Sequence, residues 1–408
     1  MTTTEPSTRP LSRSLAPDLA RGLMLLLIVV ANTPYHLFNR EVGMISAHGY
    51  NGTGLDAVWQ AIAIVAVDFR SYPLFAFLFG YGIWQLYSRQ QAAGVDPREA
   101  RKLLQRRHRW MLLFGLLHAA LLFMGDVLGA YGLIGLIATW LFLDRRDRTL
   151  KVWLIVLGSL LALLGLLQLV SGMFAPADFD PFAGQQSFPS PAAETSYLTS
   201  MLWRVSTWVF LTLGQGIFLL SLPTAVLAGI LAARHRLLDD PERHLALLKR
   251  VAVAGIAIGW AGGAMVALSW FELVPVRYWS LTFFQTATGL ACGLGYAAAF
   301  GLLAVRLRSR ADSAPVRALV AVGKRSLTCY LAQSVILAPL LSAWGLGLGG
   351  YLTEWQGTLV AVGVWLLTVA LAGWLESAGK RGPGEWLLRK LAYRKRAVAP
   401  PTPVSVAR

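Results

Sequence analysis

The side chains with the clearest chemical potential are two histidines near the first apolar segment. His36 lies at the polar end of the apolar run 22–38, four residues after Asn32, so a helix would place both on one face. His48 follows in a glycine-rich loop that also carries Asp56. A neutral imidazole can take a proton from an attacking amine or hydroxyl, or be acylated itself. These residue types make His48 a candidate catalytic base, with Asp56 holding its tautomer and His36 as the competing base. The alternative is an exposed loop histidine.

Several ionisable residues fall inside or beside apolar segments, where charge is costly and normally faces a partner or a cavity. Asp68 and Arg70 are two residues apart, so they cannot pair on one helix face, and each needs another partner. His118 lies about 10 Å deep in its apolar segment, and Asp126 precedes a helix that it could cap. We expect these four residues and Asn32 to contact substrate near the outer surface. The alternative interpretation is helix packing and capping.

Two charges precede the first apolar run at its opposite, inner end. Asp18 and Arg21 are three residues apart on one helix face. Either they form a local ion pair, or they contact an anionic donor that arrives from the cytoplasm. The sequence carries no CxxC, HExxH or nucleotide-binding loop, so we expect no metal site and no bound cofactor.

Composition identifies the class of protein. Of the 408 residues, 56% are hydrophobic and 14% are charged, whereas soluble domains carry about 25% charge. About ten transmembrane helices are predicted, with both termini cytoplasmic and an all-α fold. In that orientation nearly every Lys and Arg lies on the inner side, the exceptions being Arg40, Arg70, Arg204 and Arg277. The net charge of +16 thus reports membrane orientation, and we expect no nucleic-acid partner.

The apolar segments and their connections divide the chain. The expected spans are 22–38, 68–88, 110–124, 127–143, 151–174, 202–233, 251–272, 279–305, 318–345 and 356–376. A disordered cytoplasmic tail 1–17 precedes a first helical half 18–174, which carries the active-site loop. The outer loop 175–200 separates it from a second half 201–379, and a basic amphipathic tail 380–408 follows on the inner leaflet. Segments 55–87 and 201–233 are too long for simple spans, and we expect breaks near Pro73 and Pro223.

Five stretches together resemble one family. They read LARGLMLLLIVVAN, LFAFLFGYG, RRHRWMLLFGLLHAALLFMGDVLGAYGLIG, GKRSLTCYLAQS and RGPGEWLLRKLAY. In this order they resemble the YeiB-type family of bacterial multi-pass membrane proteins (domain of unknown function 418). That family is distantly similar to transmembrane acyltransferases such as heparan-alpha-glucosaminide N-acetyltransferase. The residues that match the acyltransferase pattern are Arg21, Gly22, Asn32, His48, Gly52 and Asp56. Acyltransferases that modify surface polysaccharides have a histidine where this chain has Asn32.

The resemblance implies a transmembrane acyltransferase of the inner (plasma) membrane. It would move an acyl group from a cytoplasmic thioester, with acyl-CoA as co-substrate, to an outward-facing glycan, lipid or small-molecule acceptor. One alternative is a transporter or lipid flippase, since buried charge and broken helices suit that function too. A second alternative is a non-catalytic membrane scaffold or sensor. Besides the lipid bilayer, a second copy of the chain is an expected partner.

Overall fold

Long apolar runs in a chain with little charge fold as helices, because every backbone polar group is then satisfied within its own segment. The computed structural model describes residues 15–42, 47–50, 52–176, 179 and 190–393. Within these residues the regular structure is helical, apart from one isolated bridge between Val42 and Gly49. The α-helices are α1 Leu15–Asn32, α2 Leu55–Ala66, α3 Ser71–Ala92, α4 Pro97–Leu121, α5 Leu128–Leu141, α6 Asp147–Phe174, α7 Tyr197–Leu213, α8 Ser221–Arg234, α9 Leu245–Trp270, α10 Thr282–Leu307, α11 Ala314–Lys324, α12 Ser326–Leu341, α13 Glu354–Ser377 and α14 Pro383–Ala392.

The protein is an all-α, multi-pass membrane protein. Six of the described helical segments are long and apolar enough to cross a bilayer, or seven if the bent pair α7–α8 counts as one span. The apolar helices α5 and α12 are shorter, with 14 and 16 residues. At about 1.5 Å per residue, α5 reaches roughly 21 Å against a hydrocarbon core of about 30 Å. The expected count of ten spans is therefore not confirmed.

Parts of the expected domain plan fall outside the described residues. These parts are 1–14 of the amino-terminal tail, residues 177, 178 and 180–189 of the outer loop 175–200, and 394–408 of the basic tail. Residues 15–17, which we expected to be disordered, form the first turn of α1. The described part of the carboxy-terminal segment forms α14, which buries Leu388 and leaves Trp386 exposed.

The break expected near Pro73 separates α2 from α3. Residues 67–70 interrupt the helix, with Phe69 in the left-handed region at φ 59° and Pro73 in the first turn of α3. The second break lies at residues 219–220, just ahead of Pro223. The chain turns by 56° there, between the end of the π-helical turn Gly214–Phe218 and the start of α8, and Leu220 has φ 55°. Pro223 lies in the first turn of α8, where its missing N–H leaves no helical bond unmade.

Glycines let α1 approach α11 closely at the predicted inner end. A Cβ on Gly22 would overlap the carbonyl oxygen of Leu319, and a Cβ on Gly323 would overlap that of Asp18. Gly22 of the stretch LARG and Gly323 of the stretch GKRS, both of which carry the family resemblance, therefore each touch the backbone of the other helix. Close approach through small residues is a common way for membrane helices to pack.

A further family-like stretch, RGPGEW, contacts the start of α12 through Glu385 of α14. Glu385 Oε1 accepts hydrogen bonds from the backbone N–H groups of Leu327 (2.8 Å) and Thr328 (3.1 Å). These N–H groups belong to the first turn of α12 and have no partner within that helix. The stretch RGPGEW thus stabilises the start of the helix that GKRSLTCYLAQS forms.

Candidate functional site

His118 and Asp126 form a buried pair at the turn between α4 and α5. His118 Nδ1 lies 2.8 Å from Asp126 Oδ1, and both side chains are almost completely buried. The second carboxylate oxygen, Oδ2, accepts hydrogen bonds from Gly129 N (2.8 Å) and from Trp208 Nε1 (3.2 Å). Asp126 thus makes the contact expected of a cap at the start of α5, and it binds His118 as well.

The bond to Asp126 sets the tautomer of a neutral His118 ring. When Asp126 is ionised and His118 is neutral, the carboxylate only accepts, so Nδ1 carries the hydrogen and Nε2 carries the lone pair. Nε2 is buried and has no hydrogen-bond partner among the described residues. A buried nitrogen without a partner is costly and needs an explanation. A histidine held at one nitrogen by a carboxylate and open at the other has the geometry of a general base.

The walls around this pair are closely fitted. A Cβ on Gly115 would overlap Asp126 Oδ2, and a Cβ on Gly129 would lie 2.5 Å from the Trp208 ring. The Tyr330 ring of α12 lies 5.1 Å from the His118 ring, and its hydroxyl accepts a hydrogen bond from the backbone of Val127 at 3.3 Å. Helices α4, α5, α7 and α12 therefore hold the two side chains in one position.

His48 is held quite differently, by a carboxylate on each ring nitrogen. Nδ1 lies 2.6 Å from Glu354 Oε2, and Nε2 lies 2.7 Å from Asp68 Oδ2. Burial lowers the pKa of His48, but the charges and hydrogen bonds of Asp68 and Glu354 outweigh it and raise the pKa to about 10. His48 therefore carries its proton at neutral pH. It has no free lone pair with which to act as a base in this arrangement.

Glu354, the first residue of α13, collects several donors besides His48. Its Oε1 accepts from Arg40 Nη1 (2.5 Å), Gly49 N (2.7 Å) and Gln60 Nε2 (2.9 Å). Gln60 Oε1 in turn accepts from Trp270 Nε1 at 3.2 Å. This network ties the loop that follows α1 to α2, α9 and α13. Nothing in the local sequence around His48 signals Glu354, which is 306 residues away.

Asp56, which we expected to orient His48, makes another contact. Its Oδ1 accepts a hydrogen bond from the backbone N–H of Trp355 at 3.0 Å, in the first turn of α13. Asp68 and Glu354 supply carboxylates to the His48 ring. In this structure Asp56 stabilises the start of a helix.

His36, the competing base, lines a small cavity at the predicted outer end. It ends the 3₁₀ turn Thr33–His36 and stacks on Phe123, with ring centroids 4.6 Å apart. Arg204 and Ser342 line the same cavity, whose volume of about 10 Å³ has room for one water molecule. Arg204 donates to the carbonyl of Ala120 (2.8 Å) at the end of α4, and within the described part of the chain no carboxylate pairs with it.

The remaining predicted residues are spread over the molecule. Arg70 is completely buried and donates to Gly259 O at 2.8 Å and to the carbonyl of Asp68. Asp68 and Asp126, expected near one another, bind different histidines. Asn32 is the last residue of α1.

At the inner end, Arg21 Nη1 lies 3.2 Å from Asp18 Oδ1. Arg21 also donates to the carbonyl of Leu78 at 3.4 Å. The ion pair that the spacing allowed is therefore present. Contact with an anionic donor stays a prediction.

Comparison with known proteins agrees with the sequence motifs. Residues 232–395 match the family described as "Protein of unknown function (DUF418)". The chain is 26% identical over 406 residues to "Uncharacterized protein YxaH" of Bacillus subtilis (strain 168), covering 92% of this chain and 93% of the relative. It is 27% identical over 407 residues to "Uncharacterized protein YeiB" of Escherichia coli (strain K12), covering 94% and 97%. The resemblance to the YeiB-type family is confirmed. The matched segment contains Tyr330, which contacts His118, and Glu354, which contacts His48.

Proposed function

We propose that this protein is a transmembrane acyltransferase of the plasma (inner) membrane, and that His118 is its general base. It would carry an acyl group from a cytoplasmic thioester, such as acyl-CoA, to a glycan, lipid or small-molecule acceptor at the outer side. The observation that carries the proposal is the open, buried Nε2 of His118, whose Nδ1 is fixed by Asp126. His118 replaces His48 as the proposed base because both ring nitrogens of His48 are engaged.

The proposed reaction uses the two nitrogens of His118 in different ways. Nε2 takes the proton of the acceptor amine or hydroxyl as that group attacks the thioester carbonyl carbon. The C–S bond then breaks, and the leaving thiolate takes the proton from the imidazolium. Asp126 stays ionised and stabilises the imidazolium in between. Amines and alcohols attack thioesters slowly without such a base.

The acceptor would approach through the cavity that His36 and Arg204 line. In this structure the cavity has room for only one water molecule, so it must widen before an acceptor can enter. Arg204 brings a buried positive charge that no carboxylate among the described residues neutralises. Such a charge favours the negative oxygen that forms during acyl transfer. At the inner end, Arg21 and the basic loops would attract a phosphorylated donor.

The test is release of free thiol from acetyl-CoA by the purified protein in lipid nanodiscs. His118→Gln should lower the rate by about 10²–10⁴-fold, the usual cost of removing a positioned base. His235→Gln is the control, because His235 is half exposed at the inner end. Loss of activity in His36→Gln or His48→Gln with His118→Gln unchanged would move the base to that residue. No thioester consumption by the unaltered protein, with any acceptor offered, would overturn the proposal.

Transport or lipid flipping is a second candidate, and the broken helices favour it. The α2–α3 break carries Asp68 and Arg70, and α7 meets α8 at 56°. Transporter sites commonly use interrupted helices with buried charge. Flux of a substrate or lipid across proteoliposomes without consumption of a donor would support transport. Absence of both activities would leave the scaffold or sensor alternative.

A further inference from the structure

A large apolar groove lies at the opposite end of the molecule from the histidine clusters. Its volume is about 440 Å³, within the range of roughly 300–1,000 Å³ that is usual for ligand pockets. Helices α6, α8, α9 and α10 form its walls, with Leu154, Ala228, Leu248 and Ala298 among the lining residues. Neither His118 nor His48 lines it.

Small side chains and a loosely packed helix create the groove. Its floor includes Ala228 and Ala232 of α8 and Ala298 of α10. Helix α6 is the least enclosed of the candidate spans, with only 11% of its apolar window buried. Leu247 and Val251 of α9, also lining residues, are 46% and 36% exposed. The groove is therefore open to its surroundings along an apolar side, which in a membrane protein faces lipid.

Basic groups line the groove where it reaches the inner loops. These groups are Lys151, His235 and His244. The nearby carboxylate, Asp147, is already shared by Arg234 (2.7 Å) and His235 (3.0 Å). Lys151 makes no ion pair with any described residue. The groove thus combines an apolar channel with a cationic mouth at the predicted inner membrane surface.

We propose that this groove is a binding site for one acyl chain of an anionic phospholipid. The chain would lie along Leu154, Ala228 and Ala298, and the headgroup phosphate would pair with Lys151. Basic pockets between membrane helices on the cytoplasmic side suit anionic headgroups, and each basic residue near the surface contributes about 1 kcal/mol. This site is independent of acyl transfer.

The test is native mass spectrometry of the full-length protein, offered phosphatidylglycerol and phosphatidylcholine with identical acyl chains in equal amounts. The unaltered protein should retain phosphatidylglycerol in preference. Lys151→Gln should lower that preference about fivefold, the equivalent of about 1 kcal/mol. Ala228→Phe should reduce retention of both lipids, because the ring occupies the channel.

Two control variants sit outside the groove. Ala254→Phe adds the same ring on an exposed face of α9, and Lys102→Gln removes an exposed cation elsewhere on the inner side. Both should retain lipid like the unaltered protein. Equal retention of the two phospholipids, retention of free fatty acid alone, or unchanged retention in both groove variants would overturn the proposal. If Ala228→Phe lowers the melting temperature, its loss of lipid does not count, and Lys151→Gln decides the test because it removes no packing contact.

Discussion

Two histidines at the predicted outer end are bound by carboxylates, and they differ in how many carboxylates contact the ring. His118 has Asp126 at Nδ1 and nothing at Nε2 among the described residues, so a neutral His118 can accept a proton at Nε2. His48 has Glu354 and Asp68 at its two nitrogens, so it holds its proton and acts as a cation between two anions. The first arrangement favours catalysis, and the second favours a structural connection between the loop that follows α1, the α2–α3 break and α13.

The His48 network should make stability depend on pH. Its pKa rises from the ordinary 6.5 to about 10 in the folded protein. The stabilisation is therefore complete below about pH 6.5 and is lost as the pH rises toward 10. We expect the melting temperature in detergent to fall by several degrees between pH 7 and pH 10.5.

His48→Gln should have a lower melting temperature at pH 7 and a smaller fall on the way to pH 10.5. Equal slopes for the two proteins would show that His48 does not carry this pH dependence. His235→Gln provides the comparison, since His235 is half exposed and should leave the slope unchanged.

Local sequence predicted the contacts of Asp126 better than those of His48. A carboxylate just before a helix signals a cap, and Asp126 does accept from Gly129 N. Glu354 could not be paired with His48 in the same way, because it lies 306 residues along the chain and its own surroundings look like an ordinary helix start. The free nitrogen of His118 likewise depends on how four helices pack.

Helix α1 and helix α11 are the elements whose contact depends most directly on glycine. The chain around Gly323 touches the backbone of Asp18, and Gly22 touches that of Leu319. Backbone cannot move aside as a flexible side chain would, so even one added methyl group must separate the helices. The sequence showed that these glycines lie in stretches shared with the family. It did not show that α1 and α11, which carry them, pack against each other.

Gly323→Ala should lower the free energy of unfolding by about 1–3 kcal/mol, the usual cost of overpacking. Thermal unfolding in detergent, followed by intrinsic fluorescence, measures the change. Gly363→Ala is the matched control, because a Cβ there meets nothing within 4 Å and alanine favours a helix. A Gly323→Ala protein as stable as Gly363→Ala would contradict the close contact.

Both breaks in the overlong apolar segments were predicted from the sequence. Pro73 lies in the first turn after the break at residues 67–70. Pro223 lies in the first turn after the break at residues 219–220, where proline fits the start of α8 without strain. Length signals a break, whereas its position depends on the local backbone.

Across the whole molecule, the two histidine clusters lie toward one end and the basic loops toward the other. The all-α class and the membrane character followed from composition, because an apolar chain with little charge has few other solutions. The number of spans did not follow, since α5 and α12 are shorter than a bilayer core. Orientation rests on the distribution of Lys and Arg.

Topology reporters test this orientation. A reporter fused after Ser190 should read as outside, and reporters fused after Arg98 or Arg310 should read as inside. An inside reading at Ser190 would mean that an even number of spans separates it from Arg98. Helices α4 and α5 are both absent from the six long apolar segments, and one of them would then be the segment that does not cross.

Helix α6 gives the molecule a means of responding to the thickness of its bilayer. Its 28 residues reach about 42 Å, more than a hydrocarbon core of about 30 Å, so it must tilt or extend beyond the core. Only 11% of its apolar window is buried inside the protein, so most of the helix surface meets lipid. A thinner membrane would lean α6 further and alter the spacing between α6 and α9. The lipid environment would thereby set the width of the groove that those two helices border.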